Sequence, residues 1–207
     1  MYKERIRIGI LMGGPSAERD VSLASGCHVV EILDRTRYEI HPIEVGEDRK
    51  WYLHHIDSPL LSPTRTIGKE AVLDRAYTPP STTYSELVTA RVLKGRVDVL
   101  FPVLHGPGGE DGTIQGYLEI LEIPYVGSGV LASALTMDKA RCKVFLRAMG
   151  LPTPDWTFFS RPDWESRGGD LNDYLLESFP NGMVVKPNNQ GSSVGMSILD
   201  PGEDPGT

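Results

Sequence analysis

Val97 to Gly112 reads VDVLFPVLHGPGGEDG, an almost unbroken apolar run that stops at a histidine and a cluster of glycines. A strand that is apolar on both faces suits a parallel sheet covered by helices on each side. His105-Gly106 then marks its carboxyl end, the edge at which open α/β sheets bind ligands. Ile114, Leu118 and Leu121 recur at i, i+4 and i+7, which predicts a helix that stops before Ile123-Pro124-Tyr125-Val126. The same order of strand, glycine corner and helix occurs earlier. Ile6 to Met12, IRIGILM, reads as a buried strand; Gly13-Gly14 permits a tight turn; Ser16 is a plausible N-cap, and Val29, Ile32 and Leu33 show helical spacing. Tyr38 to Val45, YEIHPIEV, returns to a strand pattern and completes one βαβ unit. The alternation predicts an α/β class with a doubly wound N-terminal domain.

Between Gly46 and Tyr84 prolines, serines and threonines dominate, and only Trp51 to Leu53 has a clearly ordered pattern, so this stretch reads as elaboration. Further on, Cys142, Phe145 and Met149 recur at helical spacing, Gly150 stands as a helix-ending residue, and LPTP beyond it is a domain-linker signal. The second part is predicted to hold a strand near Thr157 to Phe159, a helix carrying Leu171, Tyr174, Leu175 and Phe179, the strand MVVK, a loop, and the strand MSIL.

Composition excludes several classes. The 207 residues carry 21 basic and 28 acidic side chains, a formal charge of -7, with no basic block to form a nucleic-acid surface. No apolar run approaches the ~18 residues of a membrane helix, and MYKERIRIGILMGG lacks a signal-peptide pattern, so the cytoplasm is the expected compartment. Cys27 and Cys142 stand far apart without metal spacing and are expected in the core.

Four stretches carry chemistry. Lys186 to Gly195, KPNNQGSSVG, places a lysine at a strand end before glycines whose bare backbone admits an anion, although a plain β-hairpin is the alternative. It lacks the order of a P-loop and of a dinucleotide fingerprint. HGPGGEDGTIQGYLE, from His105 to Glu119, sets a histidine and glycines at a sheet edge, where the next helix also points positive potential. The alternative is His105 as a turn histidine, with Glu110 and Asp111 as helix-start acids; a metal site on these three is disfavoured, because adjacent carboxylates do not easily converge on one ion. GGPSAERDVSLASG, from Gly13 to Gly26, offers Glu18 as an anion for a substrate ammonium, against the alternative of a solvated helix-start carboxylate. Lys139, in TMDKARCK, is by itself an ordinary helix-surface lysine.

Taken together and in this order, GGPSAERDVSLASG, LHGPGGEDGTIQGYLEILEIPYVGSGVLASALTMDK and VVKPNNQGSSVG closely resemble the D-alanine-D-alanine ligases of the ATP-grasp superfamily, over nearly the whole chain and least well between Gly46 and Arg96. The resemblance implies a Rossmann-like substrate domain over 1–137 and the first part of an ATP-grasp α+β central domain over 138–207. It implies that Lys139 and Lys186 contact ATP phosphates and that the Gly191-Ser192-Ser193 loop covers the phosphoryl group in transfer. By the same resemblance Glu18 orients the first D-alanine through its ammonium and is hydrogen-bonded to Ser192, and His105 lies near the reacting carboxylate. The implied reaction ligates two D-alanines through an acyl phosphate for peptidoglycan precursor synthesis, with ATP and magnesium, no nucleic-acid or membrane partner, and a homodimer as one possible assembly.

The family's third domain, which resembles across its members in carrying magnesium ligands, an arginine and a lid tyrosine, has no counterpart in the 207 residues. Asp200, Glu203 and Asp204 in the Gly/Pro-rich tail are not assigned as metal ligands. The chain is therefore expected to be a C-terminally truncated ligase, inactive alone, belonging to a longer parent protein. A D-alanine:D-lactate or D-serine ligase and a non-catalytic ligand-binding fragment remain the alternatives.

Overall fold

The structure, a computed structural model, describes residues 5–61, 81, 83, 85–191 and 195–203. It divides into two compact units, Met1–Ala134 and Leu135–Thr207. LPTP, at Leu151 to Pro154, thus lies inside the second unit rather than ahead of it, and the residues of a linker signal instead follow the helix that it terminates.

In unit 1 the chain runs β1 (Ile6–Gly13), α1 (Arg19–Ile32), β2 (Tyr38–Val45), β3 (Trp51–His54), β4 (Ser85–Val88), α2 (Ala90–Leu93), β5 (Val99–Pro102) and α3 (Thr113–Ile120). The sheet order is β4-β3-β2-β1-β5. Strand β1 pairs in parallel with β2 and β5, whereas β3 and β4 extend the sheet in antiparallel fashion. Trp51 to Leu53 is therefore a sheet strand, and residues 62–80, 82 and 84 of the predicted elaboration lie outside the described residues. Beyond α3, Ile123 to Val126 makes one parallel bridge, Tyr125 to Leu100, held by Leu100 N–H to Pro124 O and Val126 N–H to Leu100 O, both 2.8 Å.

The period of two along β1 divides the core between the two faces of the sheet. Ile8, Ile10 and Met12 pack with Leu23 and Val30 of α1, while Leu11 packs with Ile43, Leu100, Ile114 and Leu118. On α1 the buried stripe is Ser22, Leu23, Gly26 and Val30; Ile32, which helical spacing placed inward, is exposed. Ser16 is not the N-cap. Helix α1 starts later, with Glu18 at that position, and the Ser16 hydroxyl accepts from Glu18 N–H at 3.2 Å. No helix among the described residues is long and apolar enough to cross a membrane.

Unit 1 also holds a buried charged network. Arg19 donates through Nη1 to Val45 O at 2.6 Å and Gly14 O at 3.1 Å, and through Nη2 to Glu44. The other Glu44 oxygen lies 2.8 Å from His54 Nε2, and His54 Nδ1 lies 3.0 Å from Ser58 Oγ. The side chains of Glu44 and His54 are 6% and 2% exposed.

Helix α4 (Val130–Met137) spans the boundary between the units. Unit 2 continues with α5 (Lys139–Ala148), α6 (Arg161–Ser178) and the antiparallel strands β6 (Met183–Val185) and β7 (Ser197–Leu199). Asp138 caps α5 by accepting Arg141 N–H at 2.9 Å. At the other end Gly150 N–H bonds Arg147 O and Leu151 N–H bonds Leu146 O, the paired bonds of a Schellman ending. Helix α6 begins well before Leu171, because Ser160 and Asp163 form a reciprocal capping box with Pro162 in the first turn; it kinks at Arg167, just before Gly168 and Gly169. Thr157 to Phe159 forms no strand and lines a cavity instead. Cys27 and Cys142 are only partly buried rather than core residues proper; Cys27 packs against the edge of the core and donates to Leu60 O at 3.3 Å.

Removing one partner of a buried ionic network leaves the others desolvated and unpaired, which costs about 3–5 kcal/mol. Glu44→Ala is expected to lose stability of that order in urea denaturation followed at Trp51 of β3. Asp98→Ala, which breaks the exposed Arg7 pair, is expected to lose far less.

Candidate functional site

At the carboxyl end of β1 the backbone turns through Gly13 and Gly14, with φ of +90° and +95°, where a side chain would strain the chain. The corner is tied together by Ser22, a residue with no distinguishing signal in the sequence. Its fully buried hydroxyl accepts Gly13 N–H at 2.8 Å and donates to Val103 O at 2.6 Å. Across the same corner the Ser16 hydroxyl donates to His105 O at 2.8 Å. These two serines bring the loop after β1 against the loop after β5, and with it Glu18 against His105-Gly106.

Glu18 is 8% exposed, makes no capping bond, and its Oε2 has no hydrogen-bond partner among the described residues. It lies so close to Gly106 that a Cβ at that residue would come 2.7 Å from Oε2. His105 Nδ1 is 3.9 Å from Glu110 Oε1, and its buried Nε2 has no partner among the described residues. Gln115, which the sequence reading passed over, donates to Gly109 O at 2.9 Å and leaves its own Oε1 unpartnered. Buried polar atoms are nearly always satisfied, so the unpartnered Glu18 Oε2 and His105 Nε2 make this sheet edge a candidate site. Glu18 supplies negative charge, which suits a cationic group such as an ammonium.

The carboxylates of the glycine loop serve the loop itself. Glu110 accepts Gly106 N–H at 2.7 Å, while Asp111 accepts Gly108 N–H at 2.8 Å and Thr113 N–H at 3.0 Å. Burial pushes the Asp111 carboxyl up, but the bonds from Gly108 and Thr113 outweigh it and hold the group below the usual range. No metal-binding group of His, Cys, Asp and Glu occurs among the described residues.

Within unit 2 a cavity of about 1200 Å³ is lined by Lys139, Lys143, Lys186, Trp156, Phe159 and Met183 among others. Lys139 and Lys186 thus line one cavity, and Lys139 does more than sit on a helix surface: its Nζ donates to Gln190 O at 2.5 Å and Asn188 O at 3.2 Å. Asn188 also takes the first-turn amides of α5, Lys139 N–H at 3.2 Å and, through Oδ1, Ala140 N–H at 2.9 Å. The β6–β7 connection is a hairpin that carries Gly191 just beyond this fastening. Ser192 and Ser193 lie outside the described residues, as does Asp204. Lys143 is a cavity cation that went unnoticed in the sequence, although its spacing of four from Lys139 places both on one helix face.

Corner and cavity define a class: an α/β unit with a glycine-turned sheet edge, followed in the chain by a hairpin unit with a lysine-lined cleft. Residues 7–128 match the family model of the D-ala D-ala ligase N-terminus, and residues 145–204 that of the D-ala D-ala ligase C-terminus. The chain belongs to the D-alanine-D-alanine ligase family. It is 40% identical over 197 residues to the D-alanine-D-alanine ligase of Bacillus cytotoxicus, covering 93% of this chain and 53% of that protein. The D-alanine-D-alanine ligase of Enterococcus hirae is 39% identical over the same length and shares. Among solved structures, the D-alanine-D-alanine ligase from Coxiella burnetii superposes with a TM-score of 0.72 at 32% identity, over 95% of this chain and 57% of that one. The VanG D-Ala:D-Ser ligase from Enterococcus faecalis gives 0.69 at 28%, over 94% and 55%. The chain spans about half the length of the curated relatives it matches. Its fold is an α/β N-terminal sheet with helices, followed by the start of an ATP-grasp C-terminal region.

Alanine at a left-handed position costs roughly 1–2 kcal/mol. Gly106 and Gly108 both have such a φ, +73° and +88°, but an added Cβ at Gly108 meets nothing within 4 Å. Both alanine variants are expected to lose similar backbone stability. Only Gly106→Ala is expected to move the carboxyl carbon resonance of Glu18 in NMR spectra.

Proposed function

We propose that the chain provides the first-substrate corner and the lysine-lined part of the nucleotide site of an ATP-dependent ligase that joins two D-alanines for peptidoglycan precursor synthesis in the cytoplasm. The observation that carries this reading is the buried, unpartnered carboxylate of Glu18 beside His105 at the open end of β1. In it, Glu18 takes the ammonium of the first D-alanine, and His105 lies near the carboxylate that becomes phosphorylated. An acyl phosphate then forms, and the amine of the second D-alanine displaces phosphate.

Lys139 and Lys186 are the groups proposed to meet ATP phosphates, with Gly191, Ser192 and Ser193 covering the transferred group. Phosphoryl transfer depends on positioning and charge neutralisation more than on covalent chemistry by the protein, and lysines at a glycine-bearing hairpin are suited to both. Magnesium would supply further charge neutralisation at the phosphates, but no described residues form a fitting donor set for it, and the chain's own contribution is charge neutralisation by lysine.

The likeness to the VanG D-Ala:D-Ser ligase favours a second reading, in which the second substrate is D-serine. The corner at Glu18 serves the first D-alanine in both.

The test is a titration of the 207-residue chain with D-alanine, D-lactate and ATP, read by amide NMR shifts and calorimetry. D-alanine is expected to shift the amides of Gly106 and Gly108, and D-lactate, which has no ammonium, is not. Glu18→Gln keeps the shape and removes the charge, so D-alanine should weaken by about ten-fold to a hundred-fold, the equivalent of roughly 1.5–3 kcal/mol, while ATP is unaffected. Equal D-alanine affinity in the wild-type and variant chains would reduce Glu18 to a helix-start carboxylate.

A further inference from the structure

Helix α5 carries two lysines into the cavity of unit 2. Lys139, at its first position, is engaged by the carbonyls of Asn188 and Gln190, so its charge is already partly spent on the hairpin. Lys143 follows one turn later on the same face, about 6 Å further along the axis. It is half-buried, and its ammonium sits 5.9 Å from the centre of the Trp156 ring. Among the described residues it has no carboxylate partner.

The charges around Lys143 are mostly of its own sign. Lys186 faces it from the end of β6, and Arg147 stands one turn further along α5, paired with Asp155 at 2.8 Å. Lys139 and Asp200 also line the cavity. Burial, then Lys186, then Arg147 hold the Lys143 ammonium below the usual lysine range. Trp156 itself is not tied down: its Nε1 is buried without a hydrogen-bond partner among the described residues. A cation–π contact is weaker than a charge-assisted bond to phosphate at its stronger end.

We infer that Lys143 is a third cation of this cavity, which leaves the face of Trp156 to bind a phosphate oxygen when a nucleoside polyphosphate enters. The inference rests on the nucleotide reading of the cavity and goes beyond it by assigning a role to Lys143 and a mobile partner to Trp156. Phosphate binding reverses each disadvantage of the resting position, because it supplies a counter-ion and offsets the repulsion between Lys143 and Lys186. It also favours the protonated amine, so that affinity is linked to pH on the alkaline side.

The experiment titrates the 207-residue chain with ATP, inorganic tripolyphosphate and adenosine, following calorimetry and tryptophan fluorescence, with Trp156→Phe to assign the signal. Tripolyphosphate and ATP are expected to change Trp156 emission, and adenosine to leave the Lys143 contact in place. Lys143→Met should weaken both polyphosphates by about ten-fold to a hundred-fold without altering adenosine. From pH 7.5 to about 10, polyphosphate affinity should fall more steeply in the wild-type chain than in Lys143→Met, a linkage that a purely packing role does not produce. Lys143→Arg keeps the charge and, with circular dichroism on every variant, serves where the methionine variant fails to fold; it should retain tripolyphosphate binding. A wild-type chain that binds no polyphosphate overturns the nucleotide reading itself. A wild-type chain that binds it, beside a folded Lys143→Met with the same affinity and pH slope, overturns the role of Lys143 alone.

Discussion

Strand β1 is hydrogen-bonded in parallel to β2 on one side and to β5 on the other, and the geometry of unit 1 depends on that double pairing. The chain leaves β1 toward β2 and later returns on the opposite flank, so the loops beyond β1 and β5 diverge and a crevice opens at the carboxyl end of β1. Closing the crevice at its base requires polar groups that can be buried, and the Ser22 hydroxyl meets the need by bonding a backbone donor and a backbone acceptor at once. Glycines carry the positive φ angles at Gly13, Gly14 and Gly106, which lets the two loops approach closely enough for Ser16 to bond His105 O. The buried polar atoms left over at this corner, Glu18 Oε2 and His105 Nε2, have no partner among the described residues.

The sequence is most informative where burial is symmetrical. Strands β1 and β5 are covered on both faces, so their apolar runs are nearly continuous, and the glycines after them have no reading other than a corner. Strands β3 and β4 are short and antiparallel at the sheet edge; β3 shows only as the brief run Trp51 to Leu53, and β4, with Leu87 exposed, has a pattern too brief to stand out. Thr157 to Phe159 shows the opposite failure: aromatic and β-branched residues suggest a strand, but they are recruited to line a cavity, and β-propensity measures suitability for a half-buried surface rather than pairing itself. Of the candidate residues, those on glycine corners and strand ends stand out by local pattern, and their roles are implied by the family resemblance. Arg19, Glu44 and His54 do not stand out, because their contacts join positions 25 and 10 residues apart that no local period relates.

Unit 2 shows why the same rules gave less there. Among its described residues Leu175 is the one hydrophobic side chain buried to the level of the unit 1 core, while Phe145, Met149, Phe158 and Ile198 remain exposed. Its order comes from local devices instead: the Asp138 cap, the Schellman ending at Gly150, and the Ser160–Asp163 capping box. Each such device contributes around 1 kcal/mol, and each can be read from a few adjacent residues, which is why Gly150 was evident before the structure. Asn188, which fastens the hairpin to α5 from 48 residues away, was not.

Glu18 and Arg19 are adjacent and oppositely charged, and yet they do not pair. Neighbouring helix positions point their side chains about 100° apart, so the geometry of α1 already separates them. Separation alone would leave a long, flexible arginine free to swing toward the Glu18 carboxylate. Glu44 and the carbonyls of Gly14 and Val45 prevent this by engaging the guanidinium beneath β2, and His54 with Ser58 holds Glu44 in turn. A neutralised Glu18 would be a better-satisfied and more stable carboxylate, but it would have nothing to offer a cationic ligand. The buried network thus occupies the guanidinium: with Arg19 bonded to Glu44, Gly14 and Val45, Glu18 Oε2 is left without a partner among the described residues.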